Sequence, residues 1–198
     1  MLPFLVARPE TYSIFKKVMN TVEIVEAKES DLVSVLDIVS QAFGEEDVAS
    51  LVRDLVNDET AEPVVSLLAR KEDLDVGHIL FTRARLEPEN HFNVSILAPL
   101  AVVPDFQKQG IGGQLIEAGL EILRVNDVSL VFVLGYPGYY NRHGFISAGR
   151  LGLDAPYPIP QKNSDAWMVR ELFSGKLGNY HGTVRCAASM DRAEYWRE

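Results

Sequence analysis

Cysteine is nearly absent from this chain: Cys186 stands alone, so no internal disulfide framework holds the fold together. No motif surrounds that thiol, and a buried or half-buried Cys acting as a small apolar residue is its plainest reading. Long apolar runs are missing too, and nothing approaches the roughly 20 residues that a membrane-spanning helix needs. The opening Met1-Leu-Pro-Phe-Leu-Val-Ala-Arg is short, lacks a basic start and leads directly to Arg8 and Glu10, which makes a poor secretory signal. A cytoplasmic protein with no membrane association is therefore expected. Positive charge is scarce: 19 Lys and Arg against 28 Asp and Glu leave a formal charge of −9, which disfavours a nucleic-acid partner. No repeat, low-complexity tract or interdomain linker interrupts the 198 residues, a length that one core can serve.

What is present is a regular alternation of strand and helix patterns. Val22 to Val25 reads as a first strand, and Ser30 as an N-cap before a helix with Leu32, Leu36, Val39 and Phe43 at helical spacing. A second amphipathic helix carries Val48, Leu51, Val52 and Leu55. Val64 to Ala69 and Gly77 to Phe81 read as an antiparallel pair across the charged turn Arg70 to Asp75, with His78 as a structural residue inside it. Val94 to Val103 is the next strand, Gly110 to Val125 a helix with Ile111, Leu115, Gly119 and Ile122 on one face, and Leu130 to Leu134 a strand buried on both sides. Pro137 opens a short helix. Beyond Phe145 the pattern loosens, with a loop marked by Pro156, Pro158 and Pro160, a strand at Trp167 to Phe173, and Gly182 to Cys186 as its last partner. Residues 1–20 read either as an extension with a helix at Tyr12 to Met19 or as a disordered leader, and residues 187–198 as a polar tail with Tyr195 and Trp196 as anchors.

The chemistry concentrates where the strand ending at Val103 meets the helix after Gly110. A glycine-rich loop opening a helix lets an anion reach backbone N–H groups that have no partner within the helix and that sit at the positive end of its dipole. A phosphate or pyrophosphate is the natural cargo. The dinucleotide fingerprint and the Gly-Lys-Ser/Thr phosphate loop are both absent, since Gly110, Gly112 and Gly113 lead into Gln114 and Leu115.

Gln107-Lys108-Gln109-Gly110-Ile111-Gly112 resembles the acyl-CoA loop of the GNAT N-acetyltransferase superfamily, Gln/Arg-x-x-Gly-x-Gly/Ala, and Leu100-Ala101-Val102 before it resembles that family's pantetheine-pairing strand. Downstream, Tyr140, Gly144 and Phe145 match its Tyr-x-x-x-Gly-Phe element. With Ala-Pro-Leu-Ala-Val and Gly-x-Pro-x-Tyr-Tyr, the chain looks most like the small bacterial YhbS-like branch over roughly residues 21–186. The resemblance implies a mixed α/β GNAT fold, with a central, mostly antiparallel sheet of six to seven strands flanked by helices.

It further implies an N-acetyltransferase that binds acetyl-CoA and an amine acceptor, a small molecule or peptide, as a monomer or homodimer. Leu100, Ala101 and Val102 would pair with pantetheine from a bulged or splayed strand. Gln107, Lys108, Gln109, Gly110, Ile111, Gly112, Gly113 and Gln114 would hold the pyrophosphate, with Asn141 and Arg142 touching CoA nearby. Tyr140 would be the general acid for the departing thiolate, a chemically sensible match because phenol and thiol have pKa values of about 10 and 8.5. Phe43, Glu45 and Glu46 would border the acceptor cleft, although acids at a helix start also simply complement its dipole. No metal is expected. The positions where relatives often carry a base are Ile96 and Ala98 here. That leaves a water chain, a carboxylate of the Glu45 to Asp47 turn or a neutral acceptor to replace the base, with His91 read as a turn residue. Two alternatives stay open: a catalytically silent acyl-CoA-binding sensor or interaction domain, and a phosphate-binding module of another fold.

Overall fold

The computed structural model describes residues 21–44, 46–88, 92–175 and 177–196. The expected helix at Tyr12 to Met19, together with Glu45 and His91, lies outside them. β1 (Val22–Glu26) leads through a short turn into two helices, α1 (Leu32–Phe43) and α2 (Glu46–Leu55). β2 (Val65–Lys71), β3 (Leu74–Glu87) and β4 (Asn93–Val102) then form an antiparallel meander that takes up β1 at its edge. α3 (Ile111–Val125) crosses over to β5 (Val128–Leu134), which runs parallel to β4. After the single-turn α4 (Pro137–Tyr140) come β6 (Ile146–Ser147), β7 (Leu153–Asp154), β8 (Trp167–Glu171) and β9 (Gly182–Arg185). The main path of the sheet is β1-β2-β3-β4-β5-β8-β6. Among the described residues no helix is long and apolar enough to cross a membrane.

Side-chain alternation divides the core into two layers. On one face α1 and α2 cover Leu68, Leu80, Ala84, Ile96 and Phe132, and on the other α3 covers Ala69, Ile79, Phe81, Leu97 and Val131. β5 is buried along almost its whole length because it lies between both layers, as its unbroken apolar run implies. α3 comes close to the sheet because Gly119 has no side chain: a Cβ there would fall on the Phe81 ring. His78 is fully buried on the α1 side of β3, with Nε2 at 2.9 Å from the Ser66 hydroxyl and Nδ1 without a protein partner. Burial lowers its pKa to about 4, so the ring is neutral at ordinary pH.

Three local expectations shift. α1 buries Val35, Ile38 and Val39, so its stripe is rotated from the expected set and Phe43 is left 45% exposed at the helix end. Ser30 does not cap α1; the turn before it is held by Asp31, whose carboxylate accepts the Lys28 N–H at 2.9 Å. β9 is no partner of β8. The β8 edge is taken by β6, whereas the far end of the long β3 offers Arg85 to Glu87 to β9, which also pairs with β7.

Replacing Gly119 by Val forces α3 off Phe81 and is expected to lower the unfolding free energy by about 3 kcal/mol, seen as a fall in the urea midpoint. His78 gives a pH signature. Its folded pKa near 4 lies below the ordinary histidine value of 6.5, so the unfolded chain binds the extra proton and stability is lost as pH falls from about 6.5 to 4. The wild-type urea midpoint should drop across that window more steeply than that of His78→Leu.

Candidate active site

β4 leaves β5 halfway along its length. The parallel register runs from Asn93 opposite Val128 to Ile96 opposite Phe132 and goes no further, while β5 continues to Leu134 against β8. β4 itself stays paired to β3 as far as Val102 opposite Gly77. A bulge accompanies the parting, since Leu97 faces Phe81 and Leu100 faces Ile79, so two residues of β4 stand against one of β3. Val103 donates to the Val76 carbonyl at 3.0 Å, which fixes the alternation. Ala101 and Val103 turn their backbone groups to β3, and Leu100 and Val102 turn theirs to the open side. The expected splay is present at the expected residues.

At the end of that open edge lies the glycine loop. The Gln107 side chain donates to the Val102 carbonyl at 3.0 Å and that of Gln109 to the Asp105 carbonyl at 3.1 Å, tying the turn to β4. Lys108 and Gly110 adopt positive φ of 61° and 82°, and α3 starts at Ile111 without a side-chain cap. The N–H groups of Ile111, Gly112 and Gly113 therefore have no partner within the helix. Gln107 to Gly110 and Gln114 are exposed, whereas Ile111 and Gly112 are buried. A residue missed in the sequence joins them here: Lys71, at the end of β2, places Nζ 2.9 Å from the Gln109 side-chain oxygen and 5.5 Å from the centre of the Phe106 ring. Lys71, Gln109, Gln114, Thr21 and Val22 line a polar hollow of about 480 Å³.

The two sequence motifs meet in space. A Cβ on Gly112 would strike the Tyr139 hydroxyl, and one on Gly113 would come within 3.0 Å of the His143 ring. Tyr139 is thus a wedge between α4 and α3, with the Arg142 guanidinium 5.0 Å above its ring, and burial raises its pKa despite that charge. Tyr140 packs against Gly135, where a Cβ would lie 2.6 Å from its ring, and edge-on to Phe145 at 5.7 Å. Asn141 is exposed at the start of the following turn.

Tyr140 faces a second hollow, of about 370 Å³, between the parted strands and α2. Ile96 to Leu100, Val133 to Gly135, Phe43, Val48 and Leu51 form its walls, and Met190, Tyr195 and Trp196 close it from the C-terminal end. Glu46 opens α2 as an exposed residue outside this lining, and of the expected acceptor-side residues Phe43 alone is described within it. The closing segment is fastened to the chain 130 or so residues earlier: Asp58 accepts from the Ser189 N–H at 2.8 Å, and the Thr60 hydroxyl from the Ala188 N–H at 2.8 Å. Trp196, 2% exposed, stands edge-on to Trp167 and donates its indole N–H to the Met190 carbonyl at 3.2 Å. Desolvation raises the Asp58 pKa, but hydrogen bonds from Thr60 and Ser189 outweigh it and bring the carboxyl to about 2. Cys186 is inert at neutral pH, its thiol pushed up to about 12 first by burial and then by Asp191.

Comparison with known proteins bears on this geometry. A family model described as the acetyltransferase (GNAT) domain matches residues 23–148. The Escherichia coli K12 protein YjhQ, called an uncharacterized N-acetyltransferase, is 46% identical over 160 residues, covering 80% of this chain and 88% of its own. E. coli YhbS, described in the same terms, is 29% identical over 156 residues, 78% of this chain and 90% of the relative. The crystal structure of E. coli YhbS in complex with CoA superposes with a TM-score of 0.78 at 26% identity, covering 86% of this chain and 92% of that one. A Brucella melitensis GNAT-family acetyltransferase solved with acetyl-CoA has the same fold, with a TM-score of 0.68 at 23% identity over 87% and 99% of the two chains.

The fastening of the C-terminal segment is directly testable. Asp58→Ala should cost about 1–2 kcal/mol, as loss of a helix-end cap does, and should expose Trp196 to fluorescence quenchers. In wild type the same contribution is present above the unfolded carboxyl pKa of 3.8 and is lost as pH falls toward 2, so the variant should be less acid-sensitive in that window.

Proposed function

This chain belongs to the GNAT acetyltransferase family and is an acyl-CoA-dependent N-acetyltransferase, and on that footing we propose that it transfers the acetyl group of acetyl-CoA to the primary amine of a small molecule or peptide in the cytoplasm. The observation that carries the assignment of the site is the parting of β4 from β5 after Ile96, which leaves an unpaired strand edge leading from a glycine-rich helix start to Tyr140.

Acetyl-CoA, the donor substrate, brings an activated thioester. Every other requirement falls to the chain. The outward backbone groups of Leu100 and Val102 give pantetheine a strand-like partner, with Ala101 between them locked to β3. The Gln109 to Gly113 amides, with Gln107, Gln114 and Asn141 around them, cradle the pyrophosphate, and Lys71 and Lys108 supply positive charge at the rim. The open amides of β4 also face the place where an oxyanion would develop. Tyr140 donates its phenolic proton to the leaving sulfur from a position that Gly135 and Phe145 fix.

One observation favours a second reading, an acyl-CoA-binding sensor: no carboxylate or imidazole lines the hollow among the described residues. One pair of variants separates the two. Gly112→Trp, which thrusts a side chain against Tyr139 and into the cradle, should abolish acetyl-CoA binding in calorimetry while the urea transition stays cooperative. Tyr140→Phe should keep the affinity and lose roughly 100-fold or more in kcat with an active amine, the usual scale for a lost general acid. A wild type that binds acetyl-CoA and acetylates no amine would identify the sensor, and a folded wild type that binds no acetyl-CoA would remove both.

A further inference from the structure

The acceptor hollow contrasts with the rest of this acidic chain. Its described lining holds no Asp, Glu, His, Lys or Arg, and its polar side-chain atoms are three tyrosine hydroxyls and the Trp196 indole, already bonded to Met190. Of the acids in the adjoining turn, the two described ones, Glu46 and Asp47, are exposed and lie outside the lining. Ile96 and Ala98 contribute apolar side chains to it. His78 and Thr82, buried polar residues of neighbouring β3, are likewise not part of the wall.

An alkylamine carries its proton at neutral pH and would enter as an ammonium ion. Among the described residues of this wall it would meet no counter-ion as it shed its hydration shell and no base to take the proton. An amine whose lone pair is delocalised into a ring meets neither obstacle, because it arrives uncharged. The walls suit such a molecule, with Phe43, Tyr136, Tyr195 and Trp196 offering aromatic faces and edges. The hollow of about 370 Å³ must also take the thioester end of the donor between the parted strands, and what is left compares with the cavity of about 150 Å³ that admits a benzene ring in an engineered apolar core. Resting on the acetyl-transfer reading above, we infer that the acceptor is an apolar, weakly basic aromatic amine, about one ring in size, held by the aromatic walls of the C-terminal segment and the end of α1.

The step then closes without a separate base. The amine lone pair forms a bond to the thioester carbonyl carbon, and the C–S bond breaks with its electron pair on sulfur. Tyr140 gives its hydroxyl proton to that sulfur. The nitrogen of the adduct, strongly acidic once it bears an aryl group and a positive charge, returns a proton to the Tyr140 oxygen. The products are an N-aryl acetamide and the CoA thiol, with Tyr140 as it began.

The test uses two isomers of one formula, 4-methylaniline and benzylamine, which differ mainly in charge at neutral pH, with spermidine as a polycationic third. Acetyl-CoA binding is measured first by calorimetry, then binding of each amine to the CoA-loaded protein through tryptophan fluorescence, then thiol release with acetyl-CoA. The inference expects 4-methylaniline to bind and to exceed benzylamine about 100-fold in kcat/KM, with spermidine inactive. Phe43→Glu, at a half-open position of the wall, should narrow the gap between the isomers about 10-fold by offering the ammonium a partner. Faster turnover of benzylamine or spermidine overturns the inference while leaving the acetyl-transfer reading intact. So does acetyl-CoA binding with no binding of 4-methylaniline. Failure to bind acetyl-CoA at all instead removes the donor assignment on which the inference rests.

Discussion

The incomplete pairing of two neighbouring parallel strands is the constraint on which the rest of this structure depends. β4 and β5 could have continued together, since both are apolar and β5 runs on to Leu134, but β4 gains a residue at Ala98 and Pro99 and swings away. An exposed strand edge inside a protein is costly unless something pairs with it. Here the edge survives because β3 holds the other side of β4 as far as Val102 and because β5 is held independently by β8. The gap is therefore built by two firmly paired strands.

Everything that gives the gap a direction is arranged by α3 and the turn after β5. α3 is drawn down onto Phe81 by the missing side chain of Gly119, which sets its N-terminus beside the free end of β4. Gly112 and Gly113 then receive Tyr139 and His143 from the other motif, so two stretches some 30 residues apart in sequence share one packing contact. Glu117 supports the joint, receiving the His143 ring at 3.1 Å and the Arg170 guanidinium at 3.3 Å. Tyr139 and Tyr140 stand edge-to-face with centroids 5.2 Å apart, so the wedge and the proposed proton donor hold each other in place. The far end of the gap is covered by a segment fastened through Asp58 and Thr60, which makes Met190, Tyr195 and Trp196 part of the site's wall.

Local signals in the sequence made much of this legible. The period-two and helical patterns located β1 to β5 and α1 to α3, and the glycine spacing located the loop that opens α3, because each is imposed by the backbone or by a single buried face. The Tyr-x-x-x-Gly-Phe element located Tyr140 for the same reason: Gly144, at φ 74°, and Phe145 are local requirements of that turn. What stayed hidden is long-range. Lys71 meets Gln109 across 38 residues, and Asp58 meets Ser189 across 131, contacts that no window of sequence displays. The sequence does not show which edge β9 joins, because the overhanging end of β3 that it pairs with exists only once the sheet is assembled. Phe43 and Trp196 are apolar residues whose patterns resemble core anchors; that they also line a hollow follows from where β4 turns away.

Hydrogen exchange at single backbone amides, with and without acetyl-CoA, tests the central claim most directly, because it reads the strand edge itself. The account predicts slowed exchange on adding acetyl-CoA at Leu100 and Val102 and across Gln109 to Gly113, with the Ala101 amide, already bonded to β3, changing little. Protection confined to other parts of the sheet, or an equal effect on alternate residues of β4, would contradict it: the gap between β4 and β5 would then not be where the donor binds.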